Sequence, residues 1–249
     1  MKSLRVRLFL SHLAVSAGVV GAGVAFIVLV WYPPPLAQLE GIFKILLVMA
    51  LVDVCAGPLC TLVVASPKKT RGHLVRDLAV IGLVQLCALG YALYTTFIAR
   101  PAYIVYNLGQ FDVEHAGDLK PEELAKAAPE FASVPRLGPV YVWAPLPDDP
   151  KEASRIVSSA LTTGFDITDM PRYYRSWPPA GVDAFAKGKA VSAIGRPELR
   201  DAVTALLKKR AVDESDAVLV PIFGKIEMGT VVVRKSDRAV VGMVPRMAP

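Results

Sequence analysis

Residues 101–249 contain no cysteine and a single histidine, His115. Without cysteine this region can form no disulfide, and with one histidine it cannot assemble a zinc site of the His/Cys type. It also lacks a phosphate-binding glycine loop, a nucleophile elbow and an HExxH motif. We therefore predict no catalytic, cofactor-binding or metal-ligating residue and no enzymatic activity, and we expect His115 to be a surface or loop residue.

Acidic residues are scarce in residues 1–99, which hold three Asp/Glu against eight Lys/Arg, whereas residues 100–249 hold nineteen against twenty. The net charge of +6 therefore belongs mainly to the first part of the chain. Basic residues that flank apolar segments are typical of membrane proteins, so no nucleic-acid partner is expected. The content of 53% apolar and 20% charged residues favours the same class.

Three apolar runs, at about 13–30, 42–65 and 78–99, each reach the ~18–20 residues that cross ~30 Å of hydrocarbon. Residues 1–100 are thus predicted to form a three-helix transmembrane bundle. A cleaved signal peptide is the alternative for the first run, because a basic N-terminus precedes it and small residues lie near Gly21. That run exceeds the usual apolar core of ~7–15 residues, which favours an uncleaved anchor.

Basic residues predict the orientation, because they concentrate at the N-terminus and in the loop after the second run. They are Lys2, Arg5, Arg7, Lys68, Lys69, Arg71 and Arg76. The loop after the first run has only Glu40 before Lys44. The N-terminus is therefore predicted to be cytoplasmic and residues 101–249 extracytoplasmic, which in a Gram-negative bacterium means inner membrane and periplasm.

Asp53 lies near the middle of the second run, where a carboxylate costs ~2.5–3.5 kcal/mol on insertion scales and should face protein or water. Pro58 removes a helical hydrogen bond, so a kink is expected near Gly57-Pro58. Gln85 of the third run lies within about one turn of the depth of Asp53. A structural hydrogen bond between helices and a partner-binding role both fit these residues, and ion or proton transport is the remaining alternative.

Ala17, Gly21 and Ala25 recur every four residues in the first run and predict a smooth helix face. Such a face suits either packing within this protein's own bundle or docking of a helix from a partner.

Residues 101–249 mix strand and helix signals without strict alternation, which predicts an α+β domain. Asp149-Pro150, with Glu152 completing a capping box, begins a helix that Gly164 ends. A second helix begins near Pro197, and a weaker one follows Pro121. Strands are predicted at 102–106 and 217–223, with a final hairpin at 230–234 and 239–244.

The segment 166–179 interleaves aromatic and basic residues, which are frequent in binding hot spots. They are Arg172, Tyr173, Tyr174, Arg175 and Trp177. These residues predict either a recognition surface or aromatic side chains packed as core beneath a loop.

Several short motifs occur in a characteristic order along the chain. They are Trp31-Tyr32-Pro33, Asp53-Val-Cys-Ala-Gly57-Pro58, Pro67-Lys68-Lys69, Gln85-Leu86, Arg100-Pro101 and Met170-Pro171-Arg172-Tyr173-Tyr174. In this order the chain resembles the TfpX/TfpZ family of type IV pilin accessory proteins. The resemblance brings no catalytic residue.

The resemblance implies that the protein binds a pilin in the inner membrane, assists pilus assembly or tunes the balance of extension and retraction, and meets other assembly components and the lipid bilayer. A pilin awaiting assembly has an apolar membrane helix bearing a glutamate and an external globular head. We expect the external domain to contact that head. Candidate contacts to the pilin helix are Ala17, Gly21, Ala25, Asp53, Pro58 and Gln85. A membrane-tethered ligand sensor and an envelope enzyme remain alternatives.

Overall fold

The structure is a computed structural model that describes residues 2–66, 68–178 and 188–245. It divides into two compact units. The first, here called the helical unit, comprises residues 1–30 and 42–98. The second, here called the sheet unit, comprises residues 31–41, the first loop, together with residues 99–249.

Eight α-helices occur among the described residues. They are α1 (Lys2–Phe26), α2 (Leu36–Leu39), α3 (Phe43–Ala50), α4 (Gly57–Val64), α5 (Arg71–Ile98), α6 (Pro121–Leu124), α7 (Pro150–Thr163) and α8 (Pro197–Arg210). Two π-helical segments, Ile27–Trp31 and Leu51–Ala56, extend α1 and join α3 to α4. Three continuous helices in the described part of the chain are therefore long and apolar enough to cross a membrane, which confirms that three such helices precede the α+β domain. They are Leu4–Trp31, Phe43–Val64 and Arg71–Ile98.

The helical unit directs many large apolar side chains outward. Leu29, Val63 and Val80 are all more than half exposed. In water such a surface would be unfavourable, whereas lipid chains are as apolar as the side chains themselves. The arrangement is that of a membrane-embedded bundle.

The sheet unit contains one mixed sheet of seven strands. They are β1 (Pro101–Asn107), β2 (Gln110–His115), β3 (Val140–Trp143), β4 (Arg175–Ser176), β5 (Ala217–Phe223), β6 (Met228–Arg234) and β7 (Val240–Pro245). Their order across the curled sheet is β4-β3-β1-β2-β5-β6-β7. The β1/β3 and β2/β5 pairs are parallel, and the other neighbours are antiparallel. The predicted α+β class is confirmed.

Both faces of the sheet are buried, and β1 shows how. Tyr103 and Val105 point to the face that α7 covers, whereas Ile104 and Tyr106 point to the opposite face. Alternation of this kind follows from the two-residue period of a strand. Since both sets meet core, β1 is buried along its whole length.

The first loop packs into the core of the sheet unit. Leu36 and Leu39 of α2 are 1% and 0% exposed and join the cluster that contains Phe111, Ile222 and Val231. Their spacing of three residues places both on one side of the helical turn. The loop between the first two spanning helices is thus a structural part of the sheet unit.

The predicted ends of the helices in residues 101–249 are confirmed, except for one capping interaction. Asp149 accepts a hydrogen bond from the Lys151 N–H at 3.0 Å, and Gly164 ends α7 with a φ of 74°. The capping box with Glu152 is wrong, because the Glu152 carboxylate accepts a hydrogen bond from the Tyr173 hydroxyl instead. The second predicted helix is confirmed as α8.

Candidate functional site

The second spanning helix changes its hydrogen-bond register where a kink is predicted. The Gly57 N–H donates to the carbonyl of Val52, five residues earlier, which is the π-helical pattern. In that register the Asp53 carbonyl would pair with the N–H of residue 58, which is a proline and has none. Gln85 of α5 supplies the missing donor, because its Nε2 lies 2.8 Å from the Asp53 carbonyl oxygen.

Gly57 makes room for this contact. A Cβ atom at position 57 would lie 2.1 Å from Gln85 Nε2, far inside van der Waals distance. Any larger residue would therefore displace the Gln85 amide. The three residues Gly57, Pro58 and Gln85 thus act together: the proline removes a donor, the glutamine replaces it, and the glycine lets it approach.

Next to this contact lies a cavity of about 180 Å³ between α1, the π-helical segment Leu51–Ala56 and α5. Its lining residues are His12, Val15, Ser16, Val19, Val20, Asp53, Gly82, Gln85, Leu86 and Leu89. We call it the Asp53 groove. Asp53 is 4% exposed, and its Oδ1 has no hydrogen-bond partner among the described residues; the same holds for Gln85 Oε1. The groove therefore presents the Asp53 Oδ1 and Gln85 Oε1 acceptor atoms in a mainly apolar lining.

A second polar contact ties the first spanning helix to the second. His12 Nδ1 lies 2.6 Å from Thr61 Oγ1 of α4, and Thr61 is almost fully buried. Sequence analysis missed His12 and Ser16 as groove residues. The signal that could have found them is their i, i+4 spacing, which places two polar side chains on one face of an otherwise apolar helix.

The predicted helix-contact residues separate into two groups. Asp53, Gln85 and the buried Pro58 lie together, whereas Ala17, Gly21 and Ala25 are exposed on α1. A Cβ on Gly21 would meet no atom within 4 Å. The small-residue face therefore does not pack within the bundle and does not line the Asp53 groove.

In the aromatic segment, Tyr174 and Trp177 are core residues. Tyr174 is 0% exposed, and its ring centroid lies 5.0 Å from that of Tyr103. Trp177 is partly buried, packs against Phe111 at 5.3 Å between ring centroids, and donates from Nε1 to the Arg238 carbonyl at 3.1 Å. These positions fit the core interpretation of the segment.

Three residues of the segment remain at least partly accessible. The Arg172 guanidinium lies 4.9 Å from the centre of the Tyr173 ring, and its Nε is 3.3 Å from Glu123 Oε2. Arg175 is exposed, and its Nη1 donates to the Tyr174 carbonyl at 2.8 Å. The segment thus leaves the Arg172–Tyr173 pair partly accessible and Arg175 exposed to solvent.

His115 lies elsewhere than predicted. It ends β2, its side chain is only 12% exposed, and its Nε2 lies 2.6 Å from Glu40 Oε2 of the first loop. The other oxygen, Glu40 Oε1, accepts a hydrogen bond from the Lys225 N–H at 3.2 Å. The prediction of a surface position was wrong. His115 is covered by its contact with Glu40, which lies 75 residues away in sequence and leaves no local pattern. His115 fastens the first loop.

A group of carboxyl residues is buried beside β2. Burial, followed by the nearby charge of Asp169, raises the pKa of Glu114 to about 8. Burial likewise raises the pKa of Asp112 and of Asp169. Among the residues that the structure describes, no group of three or more His, Cys, Asp or Glu side chains could hold a metal ion.

The fold and groove define a membrane protein that combines a three-helix bundle with an α+β sheet unit. Comparison with sequence relatives then identifies the family. The fimbrial assembly proteins of serogroups E1 and I of Dichelobacter nodosus are 29% and 30% identical to the chain over 231 and 233 residues. These alignments cover 89% and 90% of this chain and 87% of each relative. The chain belongs to the fimbrial assembly protein family.

A third relative, the fimbrial assembly protein of serogroups C1 and C2 of the same organism, is 34% identical over 119 residues. That alignment covers 48% of this chain and 88% of the relative. No family model matches the chain, and no solved structure matches it. All three relatives are named fimbrial assembly proteins.

Proposed function

We propose that this protein is a type IV pilin accessory protein that binds a pilin in the bacterial inner membrane and acts as a chaperone for its assembly. Support comes from the names of the relatives and from the resemblance to the TfpX/TfpZ family. The distribution of basic residues supports a cytoplasmic N-terminus and a periplasmic sheet unit. In that orientation the protein can meet both the membrane helix and the external head of a pilin.

The observation that carries the proposal is the unpartnered carboxylate oxygen of Asp53 in the Asp53 groove. A buried acceptor without a partner is costly, since desolvation is not repaid by a hydrogen bond. A helix that enters the groove with a donor group removes that cost and covers Val15 and Val19 at the same time. A protonated carboxyl group on the pilin helix is a donor of the required kind.

The sheet unit supplies a second contact. Arg172, Tyr173 and Arg175 form its recognition surface for the pilin head, since Arg and Tyr are over-represented in binding hot spots. Tyr174 and Trp177 support this surface from beneath. By holding a pilin at two places, the protein stabilises the subunit before assembly and favours extension over retraction.

Photocrosslinking in cells tests the groove directly. A photoreactive residue at Val15 or Val19 should capture the pilin, whereas the same residue at Val63, which is 78% exposed and outside the groove, should not. Positions 17 and 21 determine whether the small-residue face also contacts the pilin. Equal capture at Val63, or none at any position despite normal expression, would contradict the proposal.

Substitution of Asp53 separates the acceptor from the charge. Asp53→Asn keeps an acceptor oxygen and should retain pilin capture, whereas Asp53→Leu should lose most of it. Surface pili should fall in the Leu variant and return when the retraction motor is also deleted. If the Leu variant assembles pili as well as the parent chain does, Asp53 does not hold the pilin.

A further inference from the structure

Three points join the sheet unit to the spanning helices. Trp31 ends the first span, Gly41 lies two residues before the second begins at Phe43, and Ala99 follows the end of the third. All three residues belong to the sheet unit. Because the chain leaves or enters the bilayer at these points, they mark where the surface of the membrane lies along the sheet unit.

One external loop, residues 135–137, is bonded to two of these points. The Trp31 Nε1 donates to the Arg136 carbonyl at 3.1 Å. Arg100, next to Ala99, donates from Nη2 to the Pro135 carbonyl at 2.7 Å. Leu137 follows in this loop and is 73% exposed, and the Arg136 side chain is exposed as well.

A second loop, residues 224–227, is bonded to Leu39, two residues before the remaining point. The N–H groups of Ile226 and Glu227 donate to the Leu39 carbonyl at 3.0 and 3.1 Å. A Cβ on Gly41 would lie 2.7 Å from Ile226 Cγ1, so the isoleucine lies directly against the residue before the second span. Ile226 is 62% exposed, and Lys225 and Glu227 beside it are exposed.

The two loops present the same chemistry. Each places an exposed branched aliphatic side chain next to an exposed cation, at a position fixed by hydrogen bonds to a span end. An isolated exposed apolar residue needs no explanation in a water-soluble protein. At the level of the bilayer surface, however, an aliphatic side chain reaches the acyl boundary and an adjacent cation reaches lipid phosphate.

We propose that residues 135–137 and 224–227 form a surface that contacts the bilayer. Leu137 and Ile226 enter the boundary between headgroups and acyl chains, and Arg136 and Lys225 bind the phosphates of anionic lipids. Glu227 weakens the second loop's attraction, so the first loop makes the stronger contact. This surface is independent of pilin binding, since none of its residues lines the Asp53 groove.

Spin labels on the full-length protein in lipid nanodiscs test the apolar contact. In a background that replaces Cys55, Cys60 and Cys87 by Ser, single labels are placed at Leu137, Ile226 or Leu161. Leu161 of α7 is the control, because it is 83% exposed and contacts no span end. Labels at 137 and 226 should lose most collisions with a water-soluble nickel chelate and gain collisions with oxygen.

The outcomes of this measurement are distinct. Nickel accessibility at 137 and 226 equal to that at 161 would overturn the proposal, because the loops would then face water. Protection from both nickel and oxygen would overturn it too, since the labels would be covered by protein and not by lipid.

Charge variants test the phosphate contact. The labels at 137 and 226 should lie deeper when phosphatidylglycerol is added to phosphatidylcholine nanodiscs. The double change Arg136→Gln and Lys225→Gln should abolish this response, whereas Lys151→Gln with Arg155→Gln, both exposed on α7, should preserve it. An unchanged lipid response in the first double variant would overturn the assignment of Arg136 and Lys225.

Discussion

Each unit of the molecule contains a buried acidic residue that contacts a residue distant in sequence, Glu40 in one and Asp53 in the other, and the two differ in what they leave free. In the sheet unit both oxygens of Glu40 are bonded, one to His115 and one to the Lys225 N–H. In the helical unit Gln85 bonds to the backbone of Asp53, and the Asp53 Oδ1 is left unpartnered. Both side chains are buried, so burial alone does not separate a structural contact from a docking position. The unpartnered acceptor at Asp53 is what the proposed docking of a pilin helix depends on.

Unfolding of the two units can be measured separately, because tryptophan and cysteine residues lie in different units. Its three tryptophans, at 31, 143 and 177, all belong to the sheet unit, and its three cysteines, at 55, 60 and 87, all belong to the helical unit. Tryptophan fluorescence therefore reports unfolding of the sheet unit, and thiol reactivity reports opening of the helical unit.

The largest effect is expected when the first loop loses its core side chain. Leu39→Ala should destabilise the sheet unit by about 2–5 kcal/mol, because a fully buried leucine leaves a cavity. Urea unfolding followed by tryptophan fluorescence measures this loss. Leu161→Ala, at an exposed position, should change stability by less than about 0.5 kcal/mol. Equal effects of the two changes would mean that the loop is not part of the core.

Stability of the sheet unit should fall as pH rises between about 5 and 8. The pKa of Glu114 is raised in the folded state, so folded chains hold a proton that unfolded chains have lost, and the free energy of unfolding decreases with pH. One such proton gives a slope of about 1.4 kcal/mol per pH unit. Unfolding curves across this range measure it.

Glu114→Gln should flatten that dependence. Asp112 and Asp169 also have raised pKa values, so a smaller slope of the same sign should remain. A slope identical to that of the parent chain would show that Glu114 does not hold the proton.

Removing Glu40, whose two oxygens are both bonded, should reduce stability more than altering Asp53, whose Oδ1 has no partner. Glu40→Ala should destabilise the sheet unit by about 1.5–3 kcal/mol, because His115 and the Lys225 N–H lose a charged partner. Glu122→Ala, at an exposed position, is the control. Asp53→Asn should leave thermal stability nearly unchanged, since its free oxygen has no bond to lose. A larger loss from Asp53→Asn than from Glu40→Ala would reverse the comparison.

Among the destabilising changes, the smallest loss is expected at Gly57. Gly57→Ala should displace the Gln85 amide and cost about 0.6 kcal/mol and at most about 1.7 kcal/mol, as found for hydrogen bonds between membrane helices. Cysteine reactivity during detergent unfolding measures it, with Gly90→Ala as the control because a Cβ there meets no atom within 4 Å. In a double-mutant cycle Gly57→Ala and Gln85→Ala should be strongly non-additive.

Elements with local signals were predictable from the sequence. The caps of α7, the apolar face of α8 and the apolar runs of β5 to β7 can all be recognised from neighbouring residues. β2 also carries a signal that was missed, because Phe111 and Val113 alternate with polar residues after Gly109. β4 has two residues, too few for any pattern.

The rest depends on contacts between distant residues. The depths of Asp53 and Gln85 placed them near each other, but the π-helical register that directs Gln85 to the backbone follows from how Pro58 is accommodated in three dimensions. The burial of Leu36 and Leu39 depends on strands that begin more than 60 residues later. Neither contact leaves a local pattern.

The first loop also has a consequence for biogenesis. The core of the sheet unit is completed only when residues 31–41 and 99–249 are on the same side of the membrane, which requires the second and third helices both to cross it. A chain threaded with inverted topology in its first helices would leave Phe111 and Ile222 uncovered and open to proteolysis. A version that begins at residue 99 would have the same defect. Folding of the sheet unit therefore depends on correct insertion of these helices and reports on it.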